Sequence, residues 1–201
     1  MPTARSEVGM RILDVGCGRG TPAWCDPHAE IIGIDINERS LSEASRRHPK
    51  RKFIKARAEA LPFTDGSFDR VVCNVALPYM QIPVALREMY RVLSPSGELI
   101  AAVHPPRFTI SEFKRCRRLK PLLFRAFVLA NGLIFHLTGW SRWESFQTVA
   151  GMRKALHRAG FLSPTFREES DVRLVARAKR QPRIETMMDR RGQDTRAARV
   201  S

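Results

Sequence analysis

Three glycines and an aspartate fall at a spacing that can build a nucleotide-binding crevice. Gly16, Gly18 and Gly20 follow a short apolar run, and a second apolar run, residues 31–34, ends at Asp35. Glycine has no Cβ, so it reaches positive φ and lets a ligand lie directly on the backbone. An acid at the carboxyl end of the next strand can accept both hydroxyls of a ribose. The spacing is Gly-x-Gly-x-Gly and not Gly-x-Gly-x-x-Gly, which argues against a dinucleotide pyrophosphate.

Taken alone, this pattern also fits an ordinary βα turn with a structural acid. Five motifs of the amino-terminal half decide between a nucleotide-binding crevice and an ordinary turn. They follow one another at residues 12–18, 34–36, 58–63, 68–72 and 90–99. Together they resemble the class I S-adenosylmethionine-dependent methyltransferases, in particular the group that is similar to the ubiquinone and menaquinone C-methyltransferases. The resemblance is close over residues 10–104 and loose after residue 145.

The resemblance implies an α/β fold. We expect a Rossmann-like, seven-stranded, mostly parallel sheet in the order 3-2-1-4-5-7-6, with strand 7 antiparallel and helices on both faces. One methyltransferase domain then covers residues 1–178, with a helical insertion at about 105–144. The tail, residues 179–201, is arginine-rich and poor in apolar side chains, so we expect it to be disordered.

S-adenosylmethionine is the cofactor that the resemblance implies, and it leaves as S-adenosylhomocysteine. It would lie across strands 1, 2 and 4, and no metal is implied. The matching positions of this chain are Asp14, Gly16, Cys17, Gly18, Gly20, Asp35, Ile36, Arg57, Ala58, Glu59, Asn74 and Val75.

One of these positions departs from the family pattern. The family usually has an acid, which meets the adenine amino group, just before the alanine that corresponds to Ala58, whereas this chain has Arg57. Three interpretations stay open: Arg57 turns outward, Arg57 stacks on the adenine, or Glu59 substitutes for the acid.

Two residues are candidates for catalysis. His104 ends the predicted fifth strand and faces the crevice, where the unperturbed pKa of a histidine suits a general base, although it can equally bond into the following loop. Tyr79, in the loop after the fourth strand, is a candidate for the substrate wall or for packing under a helix. A sulfonium methyl donor needs little activation, so alignment of the reactants would supply most of the acceleration.

Capping residues and apolar spacing predict the helices that connect these strands. Asn37 can cap a helix over residues 38–47, and residues 84–93 have the spacing of an amphipathic helix. Ser145 can cap a further helix that ends near Ala159. Residues 165–168 and 172–178 resemble the closing antiparallel hairpin of the family.

Composition narrows the setting. The 201 residues suffice for one domain, and the four widely spaced cysteines indicate neither a disulfide framework nor a zinc site. With no apolar secretion signal in residues 1–9, a cytoplasmic location is expected. Only about ten residues precede the predicted first strand, where the family usually has a helical segment, so we expect any cover over the substrate to come from elsewhere.

The net charge of +15 is unevenly distributed. Residues 107–125 carry seven basic side chains and one acidic one, just ahead of an apolar stretch too short and too interrupted for a membrane span. This insertion can be a helical cap over the substrate pocket, or an interfacial helix that makes peripheral membrane contact through residues 112–139, and the two are compatible. The basic stretches can also simply be solvated.

The sequence does not specify the methyl acceptor. An apolar insertion favours a small hydrophobic molecule such as a lipid, a quinone precursor or a natural product. One rival is an RNA methyltransferase that uses the basic insertion and tail, although no RNA-binding module is recognisable and the tail has no aromatic residue to stack bases. A second rival is a protein that binds S-adenosylmethionine without turnover.

Overall fold

A single seven-stranded sheet lies at the centre of the fold. The computed structural model describes residues 9–20, 28–107, 119–141, 147–170 and 173–181. Its strands are β1 Arg11–Val15, β2 Glu30–Asp35, β3 Lys52–Lys55, β4 Phe68–Asn74, β5 Leu93–Val103, β6 Leu162–Ser170 and β7 Arg173–Lys179. They are arranged in the order β3-β2-β1-β4-β5-β7-β6. The pairs from β3 to β5 are parallel and β7 is antiparallel to both neighbours, which confirms the predicted fold.

The longer helices that connect these strands are α1 Glu38–Arg47, α2 Ile82–Val92, α3 Leu119–Thr138 and α4 Val149–Arg158. The predicted cap of α1 is confirmed, because the Asn37 side chain accepts the Ser40 N–H at 3.1 Å. The start of α2 was predicted two residues too late, because Pro83 is tolerated in the first turn of a helix.

The predicted start of α4 is wrong. Ser145 lies outside the described residues, and the side chain of Thr148 caps α4 by accepting the Gly151 N–H at 3.1 Å. Both residues are good capping types, so composition alone does not choose between them.

The core lies between the sheet and the pair α2 and α4. Leu86 and Met89 of α2 and Met152 and Leu156 of α4 are fully buried in one cluster with the central strands. A smaller cluster, Ile12, Ile31 and Val72, lies on neighbouring strands, so the central strands bury apolar side chains in more than one layer.

Helix α3 lies in the predicted insertion, and it packs against α4. Val128 and Phe135 are the large side chains that it buries, and Gly132 lies between them on the same side. No helix in the described ranges is long and apolar enough to cross a membrane. The basic cluster of residues 114–118 and the tail from residue 182 lie outside the described residues.

The residues of the predicted site lie at one edge of the sheet, where the parallel strands end. Parallel strands end at the same edge, so the loops after β1, β2, β4 and β5 lie together. Strand β7 runs the other way, and Leu174 pairs with Val103. The amino end of β7, starting at Arg173, therefore lies at the carboxyl edge of the parallel strands.

Candidate functional site

The loop after β1 turns tightly against the end of β2. The N–H groups of Gly16 and Cys17 donate to the Ile34 carbonyl at 2.8 and 2.9 Å. Gly16, Gly18 and Gly20 have φ values of 71°, 53° and 93°, a region that residues with a Cβ adopt at a cost. The glycine spacing therefore reflects the backbone conformation that the turn requires.

Asp35 ties this loop to the start of α1. Its Oδ2 accepts the Gly18 N–H and its Oδ1 accepts the Asn37 N–H, both at 2.9 Å. A carboxylate offers about four acceptor positions, so these bonds orient the group and leave capacity for ligand hydroxyls. The next residue, Ile36, exposes its side chain beside this acid.

Gly18 and Gly16 have different surroundings. A Cβ built on Gly18 meets no heavy atom within 4 Å, so the space over this residue is open. A Cβ on Gly16 would lie 2.4 Å from the Cβ of Ala76, in the loop after β4. Gly16 therefore allows two loops to approach each other, whereas Gly18 leaves a cradle that a ligand can enter.

Asp14 and Cys17 lie below the surface of this crevice. Both are buried, at 5% exposure each. Burial, together with the carboxylates of Asp14 and Asp35, raises the pKa of the Cys17 thiol far above its ordinary value. The thiol thus stays protonated, and Cys17 serves packing and its backbone N–H serves the turn.

The loop after β3 holds Arg57, Ala58 and Glu59, where the sequence departs from the family pattern. Ala58 is buried, and the side chain of Arg57 is 64% exposed. The Arg57 Nε lies 3.5 Å from the Oε2 of Glu59, whose side chain is only 14% exposed. Glu59 also accepts the Gln81 N–H at 2.9 Å through Oε1. Both oxygens of Glu59 are therefore engaged within the protein, and the Arg57 side chain extends outward.

The loop after β4 carries an unusual backbone conformation. Val75 has φ 59°, which is rare for a β-branched residue, and its N–H donates to the Ala102 carbonyl at 2.8 Å. Such strain concentrates at functional sites. Tyr79 follows in a short 3₁₀ helix, residues 77–79, with an exposed side chain.

Asn74 and His104 lie at the ends of the neighbouring strands β4 and β5. The Arg173 guanidinium donates to the Asn74 Oδ1 at 3.1 Å. His104 is half-buried, and its backbone carbonyl accepts the Gln147 N–H at 3.4 Å. The strand register thus brings the predicted residues Asn74 and His104 to the same region of the carboxyl edge.

Two contacts of this site were missed from the sequence. Arg173 enters it from the antiparallel strand β7, and the Gln81 N–H, just before α2, donates to Glu59. The predicted hairpin could have pointed to Arg173, because the first residue of an antiparallel seventh strand must reach this edge. No sequence signal indicated Gln81.

Within the described ranges, no group of three or more His, Cys, Asp or Glu side chains could hold a metal ion. The loop N–H groups of Gly16, Cys17, Gly18 and Gly20 donate within the protein. The Asp35 carboxylate and the Asn74 amide keep capacity for further hydrogen bonds, and they suit an organic ligand with hydroxyl and amine groups.

Comparisons with known proteins agree with this arrangement. Residues 13–101 match the family described as a methyltransferase domain. The demethylmenaquinone methyltransferase of Renibacterium salmoninarum is 39% identical over 97 residues, which are 47% of this chain and 41% of that protein. The fatty-acid O-methyltransferase of Mycolicibacterium smegmatis is 32% identical over 162 residues, 76% of this chain and 54% of that protein.

Solved structures support the fold. A SAM-dependent methyltransferase of Methanosarcina mazei superimposes with a TM-score of 0.60 at 20% identity, over 88% of this chain and 94% of that one. The chain spans about half the length, or less, of the curated relatives that it matches. The family match and the topology confirm the predicted family and its cofactor: residues 13–101 form a domain of the class I S-adenosylmethionine-dependent methyltransferases.

Proposed function

We propose that this chain transfers a methyl group from S-adenosylmethionine to a small, apolar acceptor. One observation carries the proposal: the open space over Gly18 lies directly beside the Asp35 carboxylate, which the Gly18 N–H orients. A bare backbone cradle next to an oriented acid suits a ligand that combines a ribose with a chain running along the loop.

Different residues at the carboxyl edge would bind different parts of the cofactor. Asp35 would accept the ribose hydroxyls, and the exposed Ile36 beside it offers an apolar surface for the adenine. The glycine loop would lie under the amino-acid part, with Asn74 as a further polar contact. When bound, S-adenosylmethionine supplies an electrophilic methyl group on a sulfonium.

The geometry of Arg57 and Glu59 bears on the adenine contact. Because Glu59 already binds Arg57 and the Gln81 N–H, we propose that it braces the loop and that Arg57 turns away from the adenine. The backbone N–H of Ala58 would then supply the remaining contact to the ring. An Arg57→Ala variant should keep the cofactor affinity of the native chain.

The names of two relatives support an apolar acceptor. One is named for fatty acids and another for demethylmenaquinone, and both names describe long apolar molecules. Fatty-acid carboxylates and quinone ring carbons differ as nucleophiles, so the acceptor atom depends on which of these chemistries the chain uses.

We propose that two residues act on the acceptor. His104, at the end of β5, would take a proton from an acceptor that is a poor nucleophile, such as a hydroxyl or a ring carbon. Tyr79, exposed after β4, would form part of the acceptor wall. A His104→Gln variant should then lose turnover while it retains cofactor affinity, and a carboxylate acceptor should be less affected, since it needs no base.

The first test is isothermal titration of the native chain and of Asp35→Ala with S-adenosylmethionine and S-adenosylhomocysteine. We expect binding by the native chain and a loss of about tenfold or more in the variant, because a charge-assisted contact to the ribose is removed. Asp65→Ala is the matched control, since Asp65 is an exposed acid that pairs with Arg91 away from the crevice. No binding by the native chain would refute the proposal.

Turnover is tested next, on a panel of fatty acids and demethylated quinones with radiolabelled methyl donor. Transfer to a member of this panel supports the proposal. Cofactor binding without transfer to any acceptor would instead favour a binding protein, and transfer to RNA with strong salt dependence would favour RNA modification.

A further inference from the structure

Helix α3 exposes an apolar face that the rest of the described chain does not cover. Val128, Gly132 and Phe135 lie on the side that packs against α4. On the opposite side, large apolar side chains are exposed: Leu123, Phe127, Leu133, Ile134 and Leu137. Phe124, one turn before Val128, is exposed as well. A surface helix normally presents polar groups on the side away from its partner, so α3 is apolar on two sides but has a described partner on only one.

The exposed side chains form one continuous strip. Leu123, Phe127, Ile134 and Leu137 recur at helical spacing on one side of α3, and the rings of Phe124 and Phe127 stack with centroids 6.4 Å apart. Trp140 follows the helix and is also exposed. Contiguous apolar patches of this kind mark interaction sites rather than ordinary surface.

Positive charge lies at the carboxyl end of this strip and, in the sequence, just before α3 begins. At the carboxyl end, the Lys154 Nζ donates to the carbonyls of His136 and Leu137 at 3.2 and 2.8 Å, and Arg158 donates to the Thr138 carbonyl. Before the amino end, the sequence reads Lys114, Arg115, Arg117 and Arg118. No Asp or Glu occurs in residues 113–143 or within α4.

We propose that the exposed face of α3 docks on an anionic lipid surface, with the helix lying in the plane of the interface. Apolar side chains of such a helix enter the boundary of the acyl chains while flanking cations meet the anionic headgroups. A second copy of this chain fits less well, because pairing two α3 helices would bring their basic ends together in either orientation, in a chain whose net charge is +15.

Vesicle flotation of the full chain tests this docking. The vesicles are phosphatidylcholine alone and phosphatidylcholine with phosphatidylglycerol, each at low and at high salt. We expect binding to the anionic vesicles, weakened by salt, and far less binding to the neutral ones. A native chain that stays with the aqueous fraction under all four conditions would overturn the proposal.

A matched pair of double variants locates the contact. Phe127→Ser/Leu137→Ser removes two side chains from the strip that are 46% and 61% exposed. Ile54→Ser/Leu162→Ser removes two side chains from β3 and β6 that are 36% and 49% exposed. We expect the first double variant to bind vesicles about tenfold more weakly or worse, because it loses apolar side chains that insert into the lipid. The second double variant should bind as the native chain does.

Two further measurements separate this proposal from its alternatives. Light scattering of the same variants reports the oligomeric state: a native dimer that the Phe127→Ser/Leu137→Ser change dissociates would show that a second copy covers the strip, and would overturn the proposal. Titration with S-adenosylhomocysteine shows whether each variant retains its fold and site. Cofactor binding and vesicle binding can therefore fail independently, so neither result decides the proposed methyl transfer.

Discussion

The guanidinium of Arg173 donates to the side-chain oxygen of Asn74 at 3.1 Å, although 99 residues separate the two in the chain. The contact exists because β7 is antiparallel and starts at the edge where β4 ends. A guanidinium only donates, so the amide oxygen of Asn74 must face it. The amide nitrogen of Asn74 is then the group that can donate to a ligand in the crevice.

This pairing predicts energetic coupling between the two residues in cofactor binding. We expect Asn74→Ala and Arg173→Met each to weaken binding of S-adenosylhomocysteine, and the double variant to lose no more than the larger single loss. The coupling free energy should be about 1 kcal/mol or more, as is typical of residues in one hydrogen-bond network. Titration calorimetry of the four proteins measures it. Losses that add would show that Arg173 does not orient Asn74.

Three glycines at positive φ allow loop strain and ligand access to be separated. Gly16, Gly18 and Gly66 have φ values of 71°, 53° and 70°, so a change to alanine strains each of them by about 1 kcal/mol. A Cβ on Gly18 meets nothing within 4 Å, one on Gly66 has its nearest neighbour at 3.8 Å, and one on Gly16 lies 2.4 Å from Ala76.

We therefore expect Gly18→Ala to lose cofactor affinity with only a small loss of stability, because its methyl group enters the open cradle. Gly16→Ala should be the least stable of the three, since the two loops must separate. Gly66→Ala is the control, with similar strain and unchanged affinity. Thermal unfolding and calorimetry compare them, and native affinity in Gly18→Ala would show that no ligand approaches this residue.

The parts of the fold that the sequence could predict are those with a local cause. Positive φ at Gly16 and Gly18 follows from a tight turn after a buried strand, and Asp35 follows from the end of the next strand. Each of these features depends on a short run of residues that carries its own signal. The strand order was implied by the resemblance of five motifs to a known family, and it was correct.

The contacts that could not be predicted join distant segments through side chains. Glu59 meets the Gln81 N–H and Arg173 meets Asn74 only after the sheet has formed. The insertion shows the same limit: its apolar pattern predicted a helix, but that pattern could not say that one side of α3 packs on α4 while the other stays exposed. Its role as a cap over the substrate stays a prediction.

Buried thiols give a prediction about reactivity. Burial, and next the Asp14 carboxylate, raises the pKa of Cys73 to about 12. The same causes raise the pKa of Cys17 even further. Only a minute fraction of either thiol is thiolate at neutral pH, and the thiolate is the reactive form.

In a Cys25→Ser/Cys116→Ser background, we therefore expect a thiol reagent to modify the native chain very slowly, and both remaining cysteines at once after unfolding in denaturant. A time course of absorbance with a disulfide reagent measures the rates. Fast modification of the native chain, at a rate typical of exposed thiols, would show that Cys17 is accessible from the crevice.

An ion pair on α2 predicts how stability depends on pH. Glu88 accepts the Leu61 N–H at 2.8 Å, and it accepts hydrogen bonds from the Nε and Nη2 of Arg91 at 2.8 and 2.9 Å. Arg91 also donates to the carbonyls of Phe63 and Leu61. The hydrogen bonds from Arg91, above all, lower the pKa of Glu88 below its ordinary value of 4.5. The pair thus fastens the loop before β4 to α2.

Because the pKa of Glu88 is lower in the folded chain than in the unfolded one, the unfolded chain binds the proton first as the pH falls. The contribution of Glu88 to stability is thus complete above pH 4.5 and is lost as the pH drops below that value. Near neutral pH, we expect Glu88→Gln to lower the free energy of unfolding by about 1–3 kcal/mol, the usual cost of losing hydrogen bonds to a charged group. Below pH 4.5 the native chain and the variant should converge. Urea unfolding across this range measures the difference, with Glu168→Gln, an exposed acid that pairs with Arg107, as the control. A difference that does not change with pH would mean that Glu88 acts through packing and not through its charge.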